Sequence, residues 1–150
     1  NLAIDLYEQW VHVQEYAAPD TINPDTAKER FNHALHVIRS LLTVPHSNLF
    51  IKTRNRQRGK QQQRKNTGSG KLYEVHEGGG RFLVSFTDER STGLFPDQRK
   101  IRTLLGSLAS GRTFLNLYAH TGSATVSAAG GGAVSTMTVG LSEKNLGRAR

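Results

Sequence analysis

Apolar and polar residues alternate over Leu2–Tyr7 ("LAIDLY") and again over Trp10–Tyr16 ("WVHVQEY"). A period of two, in neighbouring segments rich in β-formers, predicts a hairpin. After the break at "PDTIN" the period lengthens. Ala27, Phe31, Ala34, Leu35, Ile38, Leu41 and Leu42 recur at helical spacing and predict one amphipathic helix with a core-facing stripe. Asn23 is its expected cap, Pro24 suits its first turn, Asp25 favours the positive end of its dipole, and Pro45 marks its stop. "NLFIKTRNRQRGK" reads as a strand entering a loop, and "QQQRKNTGSGK" as a polar, Gly/Ser-rich tip. β-type segments on both sides of Gly78-Gly79-Gly80 predict a second hairpin. Residues 1–87 thus read as a small α+β module with one helix packed on a sheet.

From about Thr92 the pattern changes. Ile101, Leu104, Leu105 and Leu108 fall at helical spacing after Pro96 and Asp97. "TFLNLYA" reads as a buried strand, "GSATVSAAGGG" as a short helix, "STMTVGL" as a second strand, and "SEKNLGRAR" as the start of another helix. Helix and strand in alternation are the pattern of a parallel α/β sheet. Residues 88–150 supply two of its strands, which are expected to be buried on both faces.

Composition narrows the class. The chain has 150 residues, begins with Asn1 rather than Met, and reads as a region excised from a longer polypeptide. No apolar run reaches the roughly 18 residues that a membrane span requires. The absence of cysteine rules out disulfides and thiolate metal sites and agrees with a reducing, cytoplasmic compartment. His33 and His36 share a helical face, but without a third ligand they read as surface histidines and no metal is expected.

Charge is more informative. Residues 1–51 carry a net −3, residues 72–150 a net +3, and residues 52–71 hold eight bases and no acid. Lys52, Arg54, Arg56, Arg58 and Lys60 occupy every second position, so an extended backbone points all of them to one face. Such neighbours lie roughly 6.5–7 Å apart, inside the screening length of about 8 Å at physiological salt, and repel one another. A polyanion relieves that repulsion and releases counterions, and nucleic acid is the first candidate. Arg64 and Lys65 extend the patch. The pattern specifies phosphate binding rather than base reading, and residues 52–65 contain no aromatic on which a base could stack.

The stretch from Asn116 to Ser123 ("NLYAHTGS") is the candidate ligand loop. A strand ends in a polar loop, one glycine permits close backbone approach, and a helix begins. This is not the G-x-G-x-x-G dinucleotide fingerprint, since Gly122 is the single glycine in the turn. One glycine after a polar strand end suits an S-adenosylmethionine site better, with the donor's carboxylate at the helix N-terminus. "NTGSGK" fails as a phosphate loop: Lys65 stands where the first glycine is needed and Leu72 where Ser or Thr is needed.

Together, "WVHVQEYAAP", "KTRNRQRGK", "TGLFPDQR" and "FLNLYAHTGSATVSAAGGGAVSTMTV" occur in an order that resembles the C-terminal half of the bacterial bifunctional 23S rRNA guanine methyltransferase family. That half makes N7-methylguanosine. The resemblance covers essentially the whole chain. It implies an α/β protein in which a small α+β module precedes the start of a Rossmann-like sheet that binds S-adenosylmethionine. By position it places Asp97 and Arg99 beside the donor site, and Asn116, Tyr118, Thr121, Gly122 and Ser123 in the first donor-binding loop. Lys52 through Lys60 would lie on the RNA side. The implied partners are large-subunit rRNA, the remaining strands of the sheet and the N-terminal methyltransferase half; no membrane is implied. The sequence departs from the family at Gly140, where an acid usually accepts from the donor's ribose hydroxyls, and at Gln63 and His120, where aromatics are usual. The family's Asp-Pro-Pro motif beside the target base would fall on a later strand.

Guanine N7 carries an in-plane lone pair, so its methylation needs alignment more than proton transfer. The target base is expected to be flipped from its stack. No residue is singled out as catalytic, and two strands do not complete a pocket, so the segment alone is expected to be inactive. Two alternatives remain open at this point: a non-enzymatic RNA-binding module, and a cytosine-C5 methyltransferase relative whose nucleophilic cysteine would lie elsewhere.

Overall fold

A computed structural model describes residues 1–19, 21–54, 70–87 and 91–148. The chain divides into two compact units, Asn1–Gly68 and Ser69–Arg150.

In the first unit, β1 (Leu2–Tyr7) and β2 (Trp10–Tyr16) form the expected hairpin, with Ile4 opposite Val13 and Leu6 opposite Val11. The following helix, α1 (Pro24–Leu42), is capped by the Asn23 side chain, which accepts from the Asp25 N–H at 2.8 Å. It returns the chain to β3 (Leu49–Arg54), which pairs parallel with β2 and completes the order β1-β2-β3. Alternation then sorts the residues. Val11 and Val13 are buried against Leu35 and Ile38, with Phe31, Val44 and Leu49 closing the core. Leu41, expected in the helical stripe, is 77% exposed. The helix ends one residue later, Thr43 turns left-handed at φ 51°, and Val44 packs against the core instead.

The second unit begins with the hairpin β4 (Tyr73–Glu77) and β5 (Gly80–Val84), turned at Gly78 and Gly79, both at positive φ. The sequence pattern groups this hairpin with the first module up to residue 87; its contacts group it with the second unit instead. Gly80 brings β5 against α3 (Ser123–Gly130): a Cβ there would stand 3.2 Å from Cγ1 of Val126. A 3-10 turn over Pro96–Gln98 leads into α2 (Arg99–Leu108). The strands β6 (Thr113–Leu117) and β7 (Ser135–Val139) pair parallel across α3, and α4 (Glu143–Arg148) comes after them. The predicted mixed α/β architecture, with strand, helix and strand in that order, is present.

On α2, Ile101, Leu104 and Leu108, which recur at helical spacing, are each more than half exposed. The buried residue of α2 is Arg102; the half-buried Gly106 and, just past the helix end, the buried Ala109 continue the same side. Helix α3 meets it there, because a Cβ on Gly131 would lie 2.7 Å from the Gly106 Cα and closer still to its carbonyl. Only glycine allows that approach. Strands β6 and β7 were expected to be covered on both sides. One face, with Asn116 and Thr138, lies under α3. On the other, Leu115, Leu117, Met137 and Val139 are 46–64% exposed.

Gly131→Ala therefore forces α2 and α3 apart and should lower unfolding free energy by about 1–3 kcal/mol in a urea titration, the usual range for overpacking. Gly130→Ala is the control. Nothing lies within 4 Å of its built Cβ and its φ is not positive, so that change should be neutral or mildly stabilising.

Candidate functional site

The C-terminal ends of β6 and β7 lie side by side, with Leu117 opposite Val139. Open α/β sheets receive ligands at this edge of their parallel strands. The chain leaves β6 through a tight loop. The Ala119 N–H donates to the Val139 carbonyl at 3.0 Å, and the Gly122 N–H donates to the Ala119 carbonyl at 2.7 Å. Closing the loop so tightly puts Tyr118 at φ 57°, His120 at φ 51° and Gly122 at φ 75°. The last suits glycine; for Tyr118 and His120 the left-handed region costs about 1 kcal/mol or more each, a form of strain that concentrates at ligand sites. Gly122 then caps α3, whose first-turn amides face the loop.

Side chains brace this geometry from both sides. The Asn116 amide donates to the Thr125 hydroxyl at 2.9 Å, which in turn meets the Thr138 hydroxyl at 2.9 Å, so β6, α3 and β7 share one polar network. The Thr121 hydroxyl donates to the Gly93 carbonyl. His120 places Nε2 at 3.2 Å from the Ser91 hydroxyl and stacks its ring, tilted, 5.2 Å from Phe95. The segment over residues 91–95 is thus clipped to the loop. It is held on its other side by Thr92, whose carbonyl accepts from the Ser85 N–H and whose hydroxyl donates to the Leu94 carbonyl, both at 2.8 Å.

The residues assigned to donor binding divide accordingly. Asn116, Tyr118, Thr121, Gly122 and Ser123 come together on this loop. Gly122 is buried, Ser123 opens the helix, and Tyr118 is 87% exposed. The Asn116 and Thr121 side chains are engaged in bracing the loop. Asp97 is exposed in the 3-10 turn before α2. Arg99 donates from Nε to Glu77 Oε2 at 2.7 Å.

That last contact belongs to a cluster that sequence reasoning missed. Glu77 ends β4 and is nearly buried. Arg102 donates to its Oε1 from Nε at 2.7 Å, and gives another hydrogen bond from Nη1 to the Phe95 carbonyl at 2.9 Å. The one signal in the sequence is a charged residue, Arg102, within the apolar run of α2; its partner lies 25 residues away.

The loop fits a donor with a carboxylate at one end. The α3 N-terminus faces it, and β7 brings Gly140 close enough that a Cβ there would stand 3.9 Å from the Ala119 nitrogen. Gly140 offers no side chain to ribose hydroxyls. In the other unit, Lys52 is half-buried and Arg54 exposed at the C-terminal end of β3. Arg56, Arg58, Lys60, Arg64 and Lys65 lie outside the described residues, as does Gln63. His33 and His36 are exposed, and among the described residues no group of three side chains could hold a metal ion. None of the described helices is long and apolar enough to cross a membrane.

A family model for S-adenosylmethionine-dependent methyltransferases matches residues 18–150. The chain belongs to that family. The cofactor of that family is S-adenosylmethionine, as expected from the loop. Among curated relatives of this chain, the ribosomal RNA large subunit methyltransferase K/L of Allochromatium vinosum is 52% identical over 148 residues, 97% of this chain and 20% of the relative. The protein of the same name from Desulfotalea psychrophila is 51% identical over 146 residues, again 97% and 20%. The chain therefore spans about a fifth of the length of these relatives. Among solved structures, SMU.776, described as a methyltransferase complexed with SAH, superposes with TM-score 0.73 at 24% identity, over 99% of this chain and 36% of that one. A SAM-dependent methyltransferase from Streptococcus mutans gives 0.71 at 24% identity, over 99% and 37%. The Rossmann-like methyltransferase fold is thus shared.

Glu77→Ala should destabilise the second unit by about 3–5 kcal/mol, because it leaves a buried guanidinium without its carboxylate. Replacing Glu77 and Arg102 together with Leu and Met should recover much of that loss, and thermal melts of the two variants measure the difference.

Proposed function

We propose that the chain is part of a large-subunit rRNA methyltransferase, specifically of the half that methylates guanine N7. In this reading the second unit carries the first donor-binding loop and the first unit carries an RNA-facing strand. The observation that carries it is the loop from Tyr118 to Gly122: a strained backbone turn at the C-terminal edge of two parallel strands, directed into a helix N-terminus. The names of the relatives support rRNA as the substrate. The N7 assignment rests on the order of "KTRNRQRGK", "TGLFPDQR" and the donor-loop motif. An rRNA substrate places the work in the cytoplasm.

The donor supplies a methyl group on a sulfonium. This chain's residues bind and orient. The α3 N-terminus and Gly122 receive the carboxylate end, the Asn116–Thr125–Thr138 network keeps β6 and β7 in register beside it, and the 91–95 segment closes the loop's flank. Guanine N7 needs no base to deprotonate it, so alignment suffices for the chain's contribution. The apolar face of Leu115, Leu117, Met137 and Val139 supports continuation of the sheet into further strands and helices of a longer polypeptide. Residues 1–150 alone then lack much of the pocket.

A methyl-transfer assay on unmodified large-subunit rRNA tests this. The parent polypeptide should label a guanine at N7 while residues 1–150 give no turnover. Turnover by the segment, or labelling of cytosine C5, would overturn the reading. In the parent, Gly140→Asp should tighten S-adenosylmethionine binding about tenfold in a calorimetric titration by restoring an acceptor for the ribose hydroxyls. The nearest side-chain obstacle is the flexible end of Leu146, 3.3 Å from the built Cβ.

A further inference from the structure

The basic stretch from Lys52 onward contains no aromatic residue up to Lys65, and Phe50, earlier on β3, pairs with the buried His12; the exposed end of the sheet supplies another ring. Parallel pairing of β2 with β3 sets Gln14 opposite Lys52 and Tyr16 opposite Arg54, and the Ala17 N–H closes the register by donating to the Arg54 carbonyl at 3.0 Å. Residues paired in this way share a face of the sheet. Glu15, the acid between Gln14 and Tyr16, belongs to the other face, where it accepts from the Thr53 hydroxyl at 3.1 Å. The acid on the Lys52 face is Asp5, which lies on β1 and accepts from Gln14 at 3.3 Å. Burial grades along this face. His12 is 2% exposed, whereas Tyr16 at the far end is 43% exposed.

We infer that Tyr16 is a stacking platform for an unpaired base of single-stranded RNA, with Lys52 and Arg54 holding the adjoining phosphates. The inference rests on the RNA-facing reading of β3 and adds to it a contact with a base. Sheet faces that bind single strands combine aromatic rings with flanking cations, because every base offers a π-face while the backbone offers charge. Duplex RNA keeps its bases stacked on one another and has none to offer Tyr16. The face should therefore prefer single strands, which suits an enzyme family whose target base must leave its stack.

Fluorescence anisotropy on the 150-residue chain tests the inference, using a short labelled single-stranded RNA and a blunt duplex of the same sequence over a series of salt concentrations. Tyr16→Ala should weaken single-strand binding about tenfold, the worth of one stacked base, without changing the slope of log K against log salt. Tyr16→Phe should bind as the parent does, and neither change should affect the duplex. Lys52→Ala and Arg54→Ala should each reduce the salt slope by about one contact. If Tyr16→Ala binds like the parent while the Lys52 and Arg54 variants weaken, the stacking inference fails and the phosphate reading stands. Equal losses in Tyr16→Ala and Tyr16→Phe would also overturn it, because the ring would not be the cause. If no form binds RNA, both readings fail.

Discussion

The second unit is organised around one nearly buried carboxylate. Glu77 sits at the end of a strand, before a glycine turn, and receives guanidinium groups from two positions three residues apart on α2. Moving such charges out of water is unfavourable by several kcal/mol per ion, so the cluster is retained only where geometry is good and the remaining donors are satisfied. Arg102 meets part of that demand by donating to the Phe95 carbonyl. The hairpin, the start of α2 and the 91–95 segment are thereby fixed to one another. Because Thr121 and His120 hold on to that same segment, the strained loop inherits its position from an ion pair that need not touch any ligand.

The loop is then held from below by packing of a different kind. Gly106 and Gly131 allow the backbones of α2 and the end of α3 to approach closely, which fixes the C-terminal end of α3 against α2. Asn116, Thr125 and Thr138 carry the same constraint through hydrogen bonds under the helix. Neither contact needs a large apolar side chain. The apolar residues of this region, Leu115, Leu117, Met137 and Val139 on the sheet and Ile101, Leu104 and Leu108 on α2, remain exposed. A stable parallel sheet ordinarily covers such residues on both faces. Their exposure agrees with a chain that spans about a fifth of its curated relatives.

The first unit shows how sheet register combines residues that are remote in sequence. Lys52 and Arg54 are 38 residues from Gln14 and Tyr16, and the α1 crossover makes the pairs adjacent. The face that results is mixed in chemistry, with basic, amide and aromatic groups in one patch, whereas the opposite face is apolar where Val11 and Val13 meet α1. One strand, β2, thus contributes to both the core and a polar surface through nothing more than alternation.

Local pattern alone determined the elements and their order. The caps and breaks at Asn23, Pro24, Gly78 and Gly79, the period of two in β1 and β2, and the strand, glycine and helix around Gly122 were legible because each is decided by backbone preferences within a few residues. The motif order was also enough to point to a methyltransferase. Tertiary structure decided which faces are buried. Periodicity places Ile101, Leu104 and Leu108 on one side of a helix but does not say whether anything lies against that side. Glu77 became visible only when folding brought β4 to α2, and Tyr16 joined Arg54 only through a parallel pairing. Burial and pairing depend on partners distant in the chain, and a local pattern carries no record of them.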